Sequence, residues 1–260
     1  MAYLYYPGCT LKTKAKELDT YAKKSMEILG IDFHEMDEWQ CCGAVYPQAK
    51  DEIAARLSSL RALEDAGREG RDLLTLCSAC HHLMKRVNND MSTDIDIRLK
   101  ANNYSEFEKP YTGETKVVHY IEMLRDDIGF AELKKRVVNP LTGRKIGAYY
   151  GCLLLRPGDV MQFDDAENPS IMEEFIRAIG AEPIIYSYRN ECCGSYASYD
   201  NPELVKKLCK KILDSCSEKG ADSLITACPL CRYNLMQNDS DNNIPVYYFT
   251  ELLAEALGVK

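Results

Sequence analysis

No apolar run in this 260-residue sequence approaches the ~20 residues needed to cross a bilayer. The opening Met1-Ala2-Tyr3-Leu4-Tyr5-Tyr6 has neither a basic flank nor a long apolar core, so no secretory leader is expected and the expected location is cytoplasmic. Basic charge is not in excess either. With 40 Asp and Glu against 32 Lys and Arg, the net charge of −8 argues against nucleic acid as the main partner, because phosphate binding needs a basic face. The chain also lacks a Gly-rich dinucleotide loop and a Cys-x-x-Cys-x-x-Cys run. It therefore cannot collect electrons from NADH by itself and needs redox partners.

What the sequence does have is cysteine, twelve residues of it. Disulfides are rare in a reducing compartment, so patterned cysteines there point to metal or redox chemistry, and an anaerobic cytoplasm suits so many thiolates. Ten of the twelve fall into two copies of one pattern. A lone cysteine follows a glycine (Gly8-Cys9, Gly151-Cys152), a Cys-Cys-Gly comes next (Cys41-Cys42-Gly43, Cys192-Cys193-Gly194), and a Cys-x-x-Cys closes the set (Cys77 and Cys80, Cys228 and Cys231). Cys77 lies thirty-five positions after Cys42, and Cys228 lies thirty-five positions after Cys193.

The intervening patterns repeat as well. Apolar stretches at 2–6, 31–36, 72–76 and 116–120 read as strands, and so do 146–150, 183–186, 222–226 and 245–249. Amphipathic helices are predicted over 14–29, 51–67, 121–128, 202–219 and 250–257, with others from about His81 and from Asn168-Pro169, where Asn168 serves as cap. Residues 90–114 read as polar and irregular, and Asn139-Pro140-Leu141-Thr142-Gly143 as a linker. The expected fold is α/β: two similar βα halves, 1–140 and 144–260, with parallel sheets related by a pseudo-twofold axis. Ligands in such folds bind beyond the carboxyl ends of the strands, which is where the cysteines fall.

Thiolate sets suit iron–sulfur clusters or zinc. Five cysteines per half is one more than tetrahedral zinc takes, and vicinal cysteines are awkward on one small ion but can reach different irons of an extended cluster. A thioredoxin-type Cys-x-x-Cys would leave three cysteines per half unexplained. Gly43 and Gly194 are candidates to bring backbone amides toward a cluster, with a simple tight turn as the alternative. Cys209 and Cys216 share an apolar stripe with Val205 and Ile212 and read as core. His34, His81, His82 and His119 read as structural, with His81 and His82 close enough to Cys80 to donate a hydrogen bond or a proton. Tyr5, Tyr6, Tyr149 and Tyr150 flank the lone cysteines and read as core. Arg156 and Arg189 are candidates to hold an anionic substrate, with surface solvation or an ion pair as the plain alternative.

The doubled pattern resembles the cysteine-rich CCG domain. The strings Tyr149-Tyr150-Gly151-Cys152-Leu153-Leu154-Leu155-Arg156-Pro157, Glu167-Asn168-Pro169 and Cys228-Pro229-Leu230-Cys231 resemble the HdrB subunit of heterodisulfide reductase. The resemblance implies a noncubane four-iron, four-sulfur (4Fe-4S) cluster on each set: Cys9, Cys41, Cys42, Cys77 and Cys80 for one, Cys152, Cys192, Cys193, Cys228 and Cys231 for the other. It implies an oxidoreductase that reduces, or reversibly forms, a disulfide held between the two clusters, one sulfur to each. Its electrons would come from a ferredoxin-like iron–sulfur partner (HdrC-like) and a flavin-bearing, electron-bifurcating partner (HdrA-like). The substrate would be a small-molecule or small-protein disulfide. Leu153 stands where methanogen members tend to carry a histidine, so the resemblance does not carry over that proton donor or the coenzyme M–coenzyme B substrate. Related CCG proteins that relay electrons in lactate, glycolate or glycerol-phosphate oxidation supply the alternative function, with no disulfide substrate.

Overall fold

The computed structural model describes residues 2–43, 51–239 and 244–260. The chain opens with β1 (Ala2–Tyr6), α1 (Cys9–Thr13), α2 (Lys16–Leu29), β2 (Asp32–Glu35), α3 (Ala54–Arg68), β3 (Asp72–Thr75) and α4 (Ser78–Thr93). It continues through α5 (Ile95–Ser105), β4 (Val117–His119), α6 (Tyr120–Met123), a π-helical turn over Leu124–Ile128, and α7 (Phe130–Arg136). The second half runs β5 (Lys145–Tyr149), α8 (Gly158–Met161), α9 (Ile171–Ala178), β6 (Glu182–Ile184) and a 3-10 turn at Ser195–Ala197. It closes with α10 (Pro202–Glu218), β7 (Ser223–Thr226), α11 (Pro229–Gln237), β8 (Val246–Tyr248) and α12 (Phe249–Ala256).

Each half forms a four-stranded parallel sheet, ordered β2-β1-β3-β4 in the first and β6-β5-β7-β8 in the second. The inner strands are buried on both faces by the crossover helices, which is why they read as unbroken apolar runs. A single apolar core joins the halves. Tyr5, Met26 and Ile121 from the first pack with Phe175, Tyr248 and Phe249 from the second, and α2 lies against α12, where Thr250 Oγ1 donates to Leu18 O at 3.1 Å. Two smaller apolar clusters sit outside this core, and each includes cysteines of its own half.

Two readings of the sequence are corrected. Residues 90–105 are not irregular, since α4 continues to Thr93 and α5 follows at once; only 106–114 lack regular structure. Asp94 ends one helix and caps the next, its carboxylate accepting from Asp96 N at 2.9 Å and Ile97 N at 3.1 Å. Nor does Asn168 cap α9. That helix starts at Ile171, and Asp164 accepts the amides of Ser170 and Ile171 at 2.6 and 2.7 Å.

Candidate metal centre

The strand ends deliver the cysteines. Cys9 opens α1 just after β1, while Cys77 and Cys228 are the N-caps of α4 and α11, the helices that follow β3 and β7. The loops after β2 and β6 bring in the vicinal pairs. Two tyrosines tie those loops down at matching places: Tyr6 donates from the end of β1 to Gln40 O, and Tyr149 from the end of β5 to Glu191 O at 2.9 Å. Each accepting carbonyl belongs to the residue just before a Cys-Cys-Gly.

In the first half, Cys9 Sγ lies 3.4 Å from Cys41 Sγ, and Cys42 Sγ 3.5 Å from Cys80 Sγ. Cys77 is within hydrogen-bond reach of Cys80. Gly8 passes so close that an added Cβ would stand 3.0 Å from Cys80 Sγ. In the second half, Cys193 Sγ lies 3.7 Å from Cys231 Sγ, and Cys152 and Cys228 hydrogen-bond to Cys192 and Cys231. All five second-half cysteines line one narrow cavity of about 30 Å3, with Ser78, Tyr150, Leu153, Ser195, Tyr196 and Leu230 as the other walls.

The two sets meet. The thiols of Cys77 and Cys228 lie against each other across the seam between the halves. The backbone around them is pinned from both sides. Ser78 donates from N and Oγ to Ala227 O at 3.1 and 2.7 Å, and Tyr248 OH reaches both Ala227 O and Leu76 O. His119 Nδ1 accepts from Ile121 N at 3.3 Å, so its Nε2 carries the proton that goes to Leu76 O at 3.1 Å.

The electrostatics follow from crowding. The hydrogen bond from Cys152 lowers the Cys192 thiol to about 6, while the same bond and burial push Cys152 up. Contact with Cys42, then burial, pushes Cys41 up, against the lowering effect of the Gly43 amide. Gly194 N donates to Cys192 Sγ at 3.3 Å. Sulfurs this close share protons pairwise, and among the described residues the second-half cavity wall contains no charged side chain to balance thiolates. Cations are what such a donor set fits. Among the described residues, no three His, Cys, Asp or Glu side chains converge as a single ion requires. Sulfurs spread around a cavity in pairs suit an extended iron–sulfur cluster better than mononuclear zinc.

The other candidates lie elsewhere. Arg189 is buried in an ion pair with Glu173 and donates to Asn168 Oδ1 at 2.6 Å. Arg156 donates to Asn190 O, Ala166 O and Glu167 at 2.9, 3.2 and 3.0 Å. Neither lines the cysteine cavity, and the ion pairs match the plain alternative to a substrate role. Cys209 and Cys216 are fully buried in the outer apolar cluster of the second half, and Cys209 Sγ contacts Cys193 O at 3.5 Å. His82 Nδ1 lies 3.0 Å from Leu153 O, bridging α4 to the loop after Cys152. His34 is half exposed on β2. Nothing in the sequence pattern marks Asn234, and the signal for Ser78 is slight: it is the first variable residue of its Cys-x-x-Cys.

Comparison with known proteins agrees with this doubling. The CCG cysteine-rich domain family matches twice, over residues 3–85 and 146–236. The chain is 30% identical to the 8-methylmenaquinol:fumarate reductase membrane anchor subunit of Wolinella succinogenes, covering 99% of this chain and 92% of that one. It is 27% identical to the B subunit of the ferredoxin/F(420)H(2)-dependent CoB-CoM heterodisulfide reductase of Methanosarcina acetivorans, covering 97% and 88%. A hypothetical protein from Helicobacter pylori of known crystal structure shares the fold, with a TM-score of 0.77 at 13% identity, over all of this chain and 49% of that one. No helix among the described residues is long and apolar enough to cross a membrane.

Proposed function

The chain belongs to the CCG cysteine-rich domain family, with two copies of the domain, and on that premise we propose that it is an iron–sulfur oxidoreductase subunit of a multisubunit complex. Its specific reaction is the reduction, or reversible formation, of a disulfide at two noncubane 4Fe-4S clusters. The observation that carries this reading is the Cys77–Cys228 contact: it sets two five-cysteine sets edge to edge, each built from one half (1–140 and 144–260). Disulfide reduction consumes two electrons and two protons and yields two thiols. Two adjacent clusters would supply one electron and one sulfur-binding iron each. The chain's part is to hold the ten thiolates, to fix the seam through Ser78 and Tyr248, and to direct the Gly43 and Gly194 amides at sulfur. Electrons enter from a ferredoxin-like iron–sulfur partner of the HdrC kind and, behind it, a flavin-bearing bifurcating partner of the HdrA kind. The relatives named for the B subunit of heterodisulfide reductase support this assignment.

A second reading has its own support. The relative at 30% identity is named for a quinol:fumarate reductase, a reaction without a disulfide, which favours a pure electron-relay role. One experiment separates the two. The protein is purified without oxygen, assayed for iron and acid-labile sulfide, oxidised, and mixed with a thiol. Roughly eight irons per chain and a new thiol-dependent paramagnetic signal support the disulfide reading. The same iron content with no new signal supports the relay. Zinc without sulfide overturns both.

A further inference from the structure

The two cysteine sets have the same sequence pattern but different surroundings, and the difference lies in the helix that follows each Cys-x-x-Cys. Asn234 is the third residue after Cys231, on α11. It is buried, and its side-chain amide donates to Cys193 O at 2.8 Å and reaches Cys209 Sγ at 3.5 Å. The same side chain lies close to the Cys193 thiol. Asn238 Nδ2 donates to Asn234 Oδ1 at 3.2 Å, fixing which end of the amide faces the cysteines. The third residue after Cys80, one helical turn along α4, is Leu83, which packs against the apolar cluster of the first half and has no side-chain N–H to give.

We propose that Asn234 is a positioning residue that holds the Cys192-Cys193-Gly194 loop and raises the reduction potential of the second cluster relative to the first. The inference rests on the reading that both sets hold iron–sulfur clusters. The physical argument has two parts. A donor to Cys193 O fixes the peptide from which two vicinal thiolates diverge, and a misdirected peptide would move both. An N–H directed at a ligand sulfur withdraws negative charge from the cluster and favours its reduced form. Leu83 does neither by side-chain hydrogen bonding. Electrons passing between the sets would then run downhill from first to second, so the second set is the terminal one.

The test is a potentiometric titration followed by paramagnetic resonance, on anaerobically purified protein. Wild type must first give iron, sulfide and two resolvable cluster transitions. Absence of clusters there would overturn the iron–sulfur reading itself, which is distinct from failure of this inference. Asn234→Leu installs the residue of the first half. It is expected to keep its iron, to shift one midpoint downward and to leave the other in place. Asn234→Asp keeps the volume, replaces the donor by a negative charge, and is expected to shift the same midpoint further in the same direction. If the leucine variant does not assemble, the aspartate variant decides alone. Wild-type midpoints in the assembled variants, or an equal shift of both, would overturn the proposal.

Discussion

His81 Nε2 stands 3.5 Å from Glu122 Oε2, in a completely buried position after Cys80, without a hydrogen bond to it. In the second half the residue after Cys231 is Arg232, which meets Glu251 at 3.1 Å. Both glutamates do the same backbone work: Glu122 accepts from His119 N and Glu251 from Tyr248 N, each at 2.7 Å. One carboxylate thus has a permanent cation beside it and the other a buried imidazole. Burial drives the His81 imidazole toward its neutral form, with His119, Lys85 and His82 acting the same way.

The first prediction concerns Glu122 and pH. Burial raises its carboxyl from 4.5 to about 7, against the lowering effects of the His119 amide, Lys85 and Arg125 and with a further small rise from Asp126. The folded state therefore binds more protons than the unfolded state as pH rises above 4.5. This contribution to stability is full below about 4.5, falls as pH rises to about 7, and is lost above that. At ~1.4 kcal/mol per pH unit it amounts to at most about 3.5 kcal/mol. Glu122→Gln keeps an acceptor for His119 N and removes the titration. Its melting temperature is expected to exceed that of wild type at pH 8, by less as pH falls, and to meet it near pH 4.5. A constant difference across that range would show that the Glu122 charge is balanced where it sits.

Arg189→Met should destabilise the fold by about 3–5 kcal/mol, because it leaves the buried Glu173 carboxylate without its cation. The Tyr150 hydroxyl also bonds to Glu173 and softens the loss without neutralising the charge. Denaturant melts of anaerobic protein measure the effect. A variant of undiminished stability that has lost its response to thiol would return Arg189 to the substrate site.

The repeat was legible because it is local. Each strand end, each Cys-Cys-Gly and the common spacing of thirty-five residues lie on one stretch of chain, and parallel-sheet physics sends them to one edge. α5 was not legible. Its Ile95, Ile97 and Leu99 alternate with charge as a strand would, and no single apolar stripe marks it as a helix; Asp94 at its cap and the Asn102 amide donating to Tyr111 O at 2.9 Å hold it instead. The Cys77–Cys228 contact and the role of Asn234 were hidden for another reason. Both depend on how two separately wound units pack, and no spacing along the chain encodes that.

Gly8→Ala should empty the first set selectively. At φ 72° and ψ 162° the backbone lies in a region that is essentially open only to glycine, so an alanine is strained there by about 1–3 kcal/mol. Its Cβ also stands 3.0 Å from Cys80 Sγ, so either the loop or the sulfur must move. Gly30→Ala is the control. It also has a positive φ, 69°, in the left-handed helical region with ψ 30°, and nothing lies within 4 Å of the added carbon, so it carries backbone strain without a clash. Iron analysis should find about half the iron lost in Gly8→Ala and none lost in Gly30→Ala, given two clusters of equal size. Equal iron in both would mean that Cys80 can yield without releasing its cluster.

Cys193→Ala and Cys209→Ala set a ligand against its neighbour. Cys193 is buried, lines the second-half cavity and lies 3.7 Å from Cys231 Sγ. Its loss should abolish disulfide reduction and the thiol-dependent signal. Far-ultraviolet circular dichroism should stay that of the folded chain, because the core uniting the halves runs through Phe175, Tyr248 and Phe249, away from this loop. Cys209 touches the same loop from behind, with its sulfur 3.5 Å from Cys193 O. That carbonyl keeps its stronger donor, Asn234 Nδ2 at 2.8 Å, so Cys209→Ala leaves no unsatisfied acceptor and should cost about 1 kcal/mol in stability with iron, sulfide and activity retained. Loss of iron from Cys209→Ala, or full activity in Cys193→Ala, would mean that the second set draws its thiolates from a different group of cysteines than the repeat marks out.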